Sequence, residues 1–218
     1  MVRKKELGIG LTFLVIATLA FLFGWTNLFT VKHVTVSGSP NQTITSQVLH
    51  LADIQKGTKL ARIEPKVVTS KLSSLDWIAS VQIKRNWISR SVDLHLIPRI
   101  AIAKAGEQYV DSDGVSFTSP VVISGSFPTI SAADQASRNA GIKLLITLPL
   151  EFSKKISKVV ATSESNFQIL MEDNLRIIWG ENRDNQLKIK IYKALLQLPE
   201  NSKIKIMDVS DPTKPTVK

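Results

Sequence analysis

From Leu7 to about Leu28 the chain carries no charged residue and shows no polar face at helical spacing, the pattern of a helix that is apolar all round. At 1.5 Å per residue, about twenty residues cover roughly 30 Å, the hydrocarbon thickness of a bilayer. The stretch therefore predicts a single transmembrane helix over residues 7–28, behind a cytoplasmic tail of residues 1–6. Arg3, Lys4 and Lys5 in that tail hold the N-terminus inside and send the C-terminus outside, and Trp25 falls where amphipathic rings favour headgroups. These four residues are the expected membrane-interface anchors. A cleaved signal peptide is the competing reading, but the apolar run continues through Phe21, Leu22 and Phe23 beyond the weak small-residue site at Thr18–Ala20.

Past the helix the pattern alternates. Val31–Ser37 is β-branched with Val34 and Val36 on one face, a half-buried strand broken by Gly38–Asn41. A short helix follows, with Thr45 expected as its N-cap and Ile44 and Leu49 as a hydrophobic staple. Pro65 suits the first position of a second helix, whose Val68, Leu72 and Leu75 share one face. Val81 and Ile83, then Val92, Leu94 and Leu96, mark two strands joined by a hairpin at Trp87–Arg90. The order is β-α-α-β-β, starting directly after the apolar run.

Beyond Arg99 short strands dominate: Ile100–Lys104, Tyr109–Asp111 and Val115–Phe117, with Asp113–Gly114 a turn. Ser131 and Asp134 are spaced as a capping box for a helix running to about Leu148. Val159–Ala161, Phe167–Met171 and Leu175–Trp179 read as strands, the last two joined by a turn at Glu172–Asn174. Leu187, Ile191, Leu195 and Leu198 mark a helix capped by Asp184. A final strand, Lys205–Ser210, does not alternate cleanly, and a proline-containing tail of residues 211–218 follows it. The fold class is α+β, with the second outer domain mostly antiparallel β with flanking helices.

The net charge of +10 leaves +8 outside the membrane once the tail is discounted. The topology removes nucleic acid as a partner and leaves anionic headgroups, wall polymers or simply a well-solvated surface as the meaning of the charge. The chain has no cysteine, so it is stabilised by packing and offers no thiolate ligand or nucleophile. His33, His50 and His95 have no second ligand at metal-binding spacing. Asp111–Gly114 lacks the remaining positions of a calcium loop. No phosphate loop or nucleophile elbow occurs. The reading is a non-enzyme, without catalytic residue, metal, cofactor or small-molecule substrate. A terminal strand is a natural sheet edge, where unpaired backbone groups accept a partner strand. Lys205, Ile206, Met207, Asp208, Val209 and Ser210 are accordingly the candidate partner-binding edge.

Several stretches carry a resemblance: Phe29–Gly38, Ile54–Leu60, Leu75–Trp87, Tyr109–Phe117 and Met207–Pro212. In this order behind a signal anchor they resemble the bacterial cell-division family FtsQ/DivIB, residues 29–98 being similar to a POTRA domain and 99–210 to its β domain. The resemblance implies a non-enzymatic scaffold in the cytoplasmic membrane at the division septum. Such a scaffold binds small single-pass coiled-coil proteins of the FtsB/DivIC and FtsL kinds, together with other divisome proteins. It links early divisome components to septal peptidoglycan synthesis, with partners bound through the last strand and the Gln186–Leu198 helix beside it. Departures fall at Asp76, where the family has proline, and at Pro98–Ala101, where Arg99 stays but a glutamate and a proline are missing. A POTRA-type polypeptide-transport receptor and a membrane-tethered envelope enzyme are the alternatives.

Overall fold

The structure is a computed structural model that describes residues 2–24 and 28–218, with Arg3, Lys4 and Lys5 placed by backbone alone. Trp25 and the side chains of those three residues lie outside the described residues, and so do the headgroup contacts expected of them. Helix α1 spans Val2–Gly24, so it begins inside the expected tail and stops short of Leu28. Its side chains from Gly8 to Thr18 are all exposed. Among the described residues no helix is long and apolar enough to cross a membrane. The chain divides into two units, Met1–Pro98 and Arg99–Lys218.

After α1 the first unit runs β1 (His33–Ser37), α2 (Gln42–Ala52), α3 (Pro65–Leu72), β2 (Ile78–Asn86) and β3 (Ser91–Pro98). The sheet order is β1-β3-β2: β1 lies parallel to β3, and β2 is antiparallel to it. Val92, Leu94 and Leu96 of β3 are buried, as are Val48 and Ala52 of α2 and Val68 and Leu72 of α3. The helices thus cover one face of the sheet. The cap of α2 is Asn41, whose Oδ1 accepts from the Ile44 N–H at 2.9 Å. Thr45 is already helical and its hydroxyl donates to the Asn41 carbonyl, because asparagine directly after Pro40 satisfies the helix start four residues earlier. Helix α3 starts at Pro65 but ends at Leu72, leaving Leu75 beyond it.

The second unit holds one nine-stranded sheet among the described residues, ordered β12-β11-β10-β9-β8-β7-β4-β5-β6. Its strands are β4 (Ala103–Ala105), β5 (Gln108–Val110), β6 (Ser116–Phe117), β7 (Thr129–Ala132), β8 (Ile156–Ser163), β9 (Asn166–Met171), β10 (Arg176–Gly180), β11 (Ile206–Asp208) and β12 (Thr216–Val217). Helices α4 (Gln135–Thr147), α5 (Leu150–Ser153) and α6 (Asn185–Leu196) complete it. Most neighbours are antiparallel, but β4–β7, β7–β8 and β10–β11 are parallel. Ser131 lies within β7, and Asp134 alone caps α4 by accepting from the Ser137 N–H at 2.7 Å. Asn174 takes the left-handed conformation expected of the β9–β10 turn. Arg99 forms an ion pair with the buried Asp111 carboxylate, which also accepts from the Asp113 and Val115 N–H groups. Arg99 therefore finds its acidic partner within its own unit.

Candidate partner-binding edge

The last strands are built around β10. Its Ile177 and Trp179 point into the core, while Arg176, Ile178 and Gly180 do not. The chain then crosses through α6 and returns as β11, parallel to β10 in the register Ile177↔Met207. Met207 and Val209 are both fully buried and share the core with Ile189 and Tyr192 of α6. The strand alternates after all, with Lys205 and Ser210 exposed and Ile206 and Asp208 half-buried.

Lys205–Ser210 is not the edge of the sheet. The residues expected to form a loose tail turn back and pair as β12, antiparallel to β11, with Met207↔Val217 and Asp208↔Thr216 in register. Lys218 closes the ladder: its carbonyl accepts from the Lys205 and Ile206 N–H groups, and its N–H donates to Ile206. Two aspartates make the return possible. Asp208 Oδ1 accepts from the N–H and hydroxyl of Ser210, and Asp211 Oδ1 accepts from the N–H and hydroxyl of Thr213. The Thr213 hydroxyl and N–H hold the Asp211 carboxyl below the usual carboxylate range. Pro212 and Pro215 stiffen the connection.

The outermost backbone therefore belongs to β12. In an antiparallel ladder successive residues alternate between facing the partner strand and facing away. Lys218 faces β11, so Thr216 does too, and the N–H and C=O of Val217 point outward. Pro215 precedes them without an N–H, which shortens the open edge. From sequence the strand ends at Ser210 and residues 211–218 are a proline-containing tail. The missed signal was the β-branched pair Thr216–Val217 after a turn rich in aspartate and proline.

Helix α6 flanks this region. It presents Lys188, Ile189 and Tyr192 inward and leaves Leu187, Leu196 and the following Leu198 exposed. Asp184 is its N-cap as expected but adopts a left-handed conformation and makes no side-chain cap bond. Lys188, only 1% exposed, pins the helix instead: its Nζ donates to the carbonyls of Trp179 and Glu181, both at 2.8 Å, and lies 5.5 Å from the centre of the Trp179 ring. Burial pushes this ammonium below the ordinary lysine value of 10.5, with Asp184 pulling the other way. The folded chain thus releases a proton that the unfolded chain keeps, so stability rises with pH between the lowered value and 10.5. Burial pushes Tyr192 up, and its opposing effect starts only near 10.0. Lys188→Met is expected to lower stability at neutral pH by about 1–3 kcal/mol, since the two carbonyls lose their donor. It should also flatten the rise in stability below pH 10, which urea denaturation at stepped pH will read. A variant that keeps the wild-type pH slope would show that another group sets it.

Among the described residues no group of three or more His, Cys, Asp or Glu is gathered to hold a metal. His33 and His95 are exposed on their strands, the latter within 2.9 Å of the Ser37 hydroxyl.

Comparison with known proteins bears on both units. Residues 29–96 match the family model described as POTRA domain, FtsQ-type, and residues 100–210 match the model of Cell division protein FtsQ/DivIB, C-terminal. Curated relatives include the cell division protein FtsQ of Mycobacteroides abscessus, 26% identical over 94% of this chain and 66% of its own length. That of Mycolicibacterium smegmatis is 25% identical over 92% of this chain and 60% of the relative. That of Mycobacterium leprae is 26% identical over 88% and 57% respectively. The chain thus spans less than two thirds of the length of these relatives.

Proposed function

The chain belongs to the FtsQ/DivIB family of cell division proteins, and from that premise we propose that it is a non-enzymatic scaffold of the division septum. Its anchor in the cytoplasmic membrane is the apolar run of residues 7–28, of which α1 covers the part up to Gly24, with the N-terminus inside and both folded units outside. There it holds small single-pass coiled-coil proteins of the FtsB/DivIC and FtsL kinds and joins early divisome components to septal peptidoglycan synthesis. Two features of α1 support the anchor. Ile9, Leu11, Phe13, Leu14 and Ile16 are each more than half exposed around the helix, an apolar surface of the kind that lipid or a partner covers. The hydroxyls of Thr12 and Thr18 donate to the carbonyls four residues earlier, at 2.9 and 2.8 Å, so neither is left unpaired in hydrocarbon.

The observation that carries the partner reading is the open outer edge of β12. An incoming strand pairs with the outward N–H and C=O of Val217, while Lys205–Ser210 support it from behind. Val217→Pro removes the outward donor and leaves the bonds from Lys218 to β11 in place. It is expected to weaken capture of the coiled-coil partner by tenfold or more, about 1.4 kcal/mol, through the lost bond and the ring's clash with the added strand. The thermal midpoint should stay within a few degrees. Wild-type affinity in this variant would rule out strand addition at β12. Proline at Met207 or Val209 is a poor probe by contrast, because both side chains are buried and the Val209 N–H donates to Ile178.

A further inference from the structure

The end of the first unit nearest α1 has a composition of its own. Strand β1 starts directly after residues 28–32, β3 starts beside it, and β2 ends there, so the Trp87–Arg90 hairpin tip closes the same end of the sheet. The loop before Leu60 is tied in as well: the Val31 N–H donates to Thr58, the Gly57 N–H to Val31 and the Leu60 N–H to Phe29, each within 2.9 Å. Segments 28–32, 55–62 and 84–91 hold seven lysines and arginines and no aspartate or glutamate. At the tip, Asn86 Oδ1 accepts from the N–H groups of Ile88 and Ser89, both at 3.1 Å. That turn thrusts Ile88 outward to 97% exposure, the highest of any large apolar side chain among the described residues. Trp87 stands behind it, edge-on to Phe29 with ring centres 5.9 Å apart. Arg90 Nη1 donates to the Leu28 carbonyl at 3.3 Å, which holds the tip against the chain leaving α1.

We infer that this end is a lipid-binding surface, which seats the first unit on the anionic headgroups of the outer leaflet with Ile88 inserted at the headgroup–acyl boundary. The inference rests on the reading of α1 as the membrane anchor. An exposed aliphatic residue on a tip whose neighbouring segments are basic, backed by an aromatic ring, is the chemistry of interfacial binding. Residues 28–32 follow the anchor within a few positions of the sequence, which tethers this end close to the bilayer surface. Arg85 and Arg90 each use one guanidinium nitrogen on backbone carbonyls and keep further donors for phosphate. Lys32, Arg62 and Lys84 add exposed charge around them.

The test uses the full chain in vesicles of phosphatidylcholine, with or without phosphatidylglycerol. Because the chain has no cysteine, Ser89→Cys and Val15→Cys each give a unique site for an environment-sensitive fluorophore, read by spin-labelled lipid quenchers. The Val15 probe should be quenched deeply in both compositions, and the Ser89 probe at shallow depth once phosphatidylglycerol is present. Neutralising Lys32, Arg62 and Lys84 together to glutamine should lower the seated-to-lifted ratio roughly a hundredfold, at about fivefold per basic residue. Ile88→Asp should lift the tip with charge otherwise intact. A deep Val15 probe with Ser89 in water in both compositions overturns the lipid surface and leaves the anchor standing. A Ser89 probe that responds only to added anionic wall polymer overturns it in favour of polymer binding. A Val15 probe in water overturns the anchor, and this inference with it.

Discussion

Gly38→Ala is expected to destabilise the first unit by about 2–5 kcal/mol. The residue ends β1 with φ at +80°, a conformation that costs an L side chain about 1–2 kcal/mol. An added Cβ would also stand 2.0 Å from the backbone carbonyl oxygen of Leu96 in β3. That oxygen is main chain in the strand at the centre of the sheet, so relief requires the β1–β3 ladder to move, at about 1–3 kcal/mol as for other overpacked sites. Gly57 supplies the control: its φ is +91°, and nothing lies within 4 Å of a Cβ built there. Gly57→Ala should therefore lose only the conformational part, about 1–2 kcal/mol. Urea denaturation of both variants reads the comparison directly, because the difference between them reports the clash. Equal losses would mean that the strand ends yield more easily than the geometry implies.

The first unit was legible because its signals are long and agree with one another. Val81 and Ile83 of β2 and Val92, Leu94 and Leu96 of β3 alternate with polar neighbours, and Pro65 marks a helix start that the structure reproduces. Thr45 failed as a cap because two good capping residues lie four apart, and only the preceding Pro40 and the φ/ψ of Asn41 decide between them. In the second unit β7 was hidden: of its four residues only Ile130 is buried, and one apolar position carries no period. The parallel pairings β7–β8 and β10–β11 are likewise absent from local pattern, since they depend on where a crossover helix returns the chain.

The candidate edge shows the same division more sharply. That Lys205–Ser210 forms a strand was readable, and the burial of Met207 and Val209 follows from their spacing of two. That it lies inside the sheet was not. Position in a sheet is a long-range property, and β12 is a strand of two residues whose ladder is completed by Lys218. Asp208 and Asp211 are turn formers by type, but from sequence Asp208 counts only as part of the strand and Asp211 only as the start of the tail.

Trp179→Ala should remove about 3–5 kcal/mol from the second unit, as large-to-small changes at buried aromatic sites do. The ring is fully buried, with Phe152 at 5.7 Å between ring centres, and its Nε1 donates to Asn185 Oδ1 at 3.0 Å. Asn185 opens α6 and donates onward to Asn182 and Thr147, so the indole ties β10 to the start of the helix and to the end of α4. Truncation opens a cavity and takes away the aromatic face beneath the Lys188 ammonium. Trp179→Phe should lose less, about 1–3 kcal/mol, because most of the volume stays and chiefly the Asn185 acceptor is left unpaired. Chemical denaturation ranks the two variants, and a loss below about 1 kcal/mol for the alanine variant would show that the core repacks. The consequence for partner binding separates support from contact. If β12 is the contact, Trp179→Ala weakens capture only in proportion to the fraction unfolded, and a stabilising osmolyte restores it. Val217→Pro weakens capture with the fold intact, and the osmolyte changes nothing. Recovery in both variants would place the partner away from the edge.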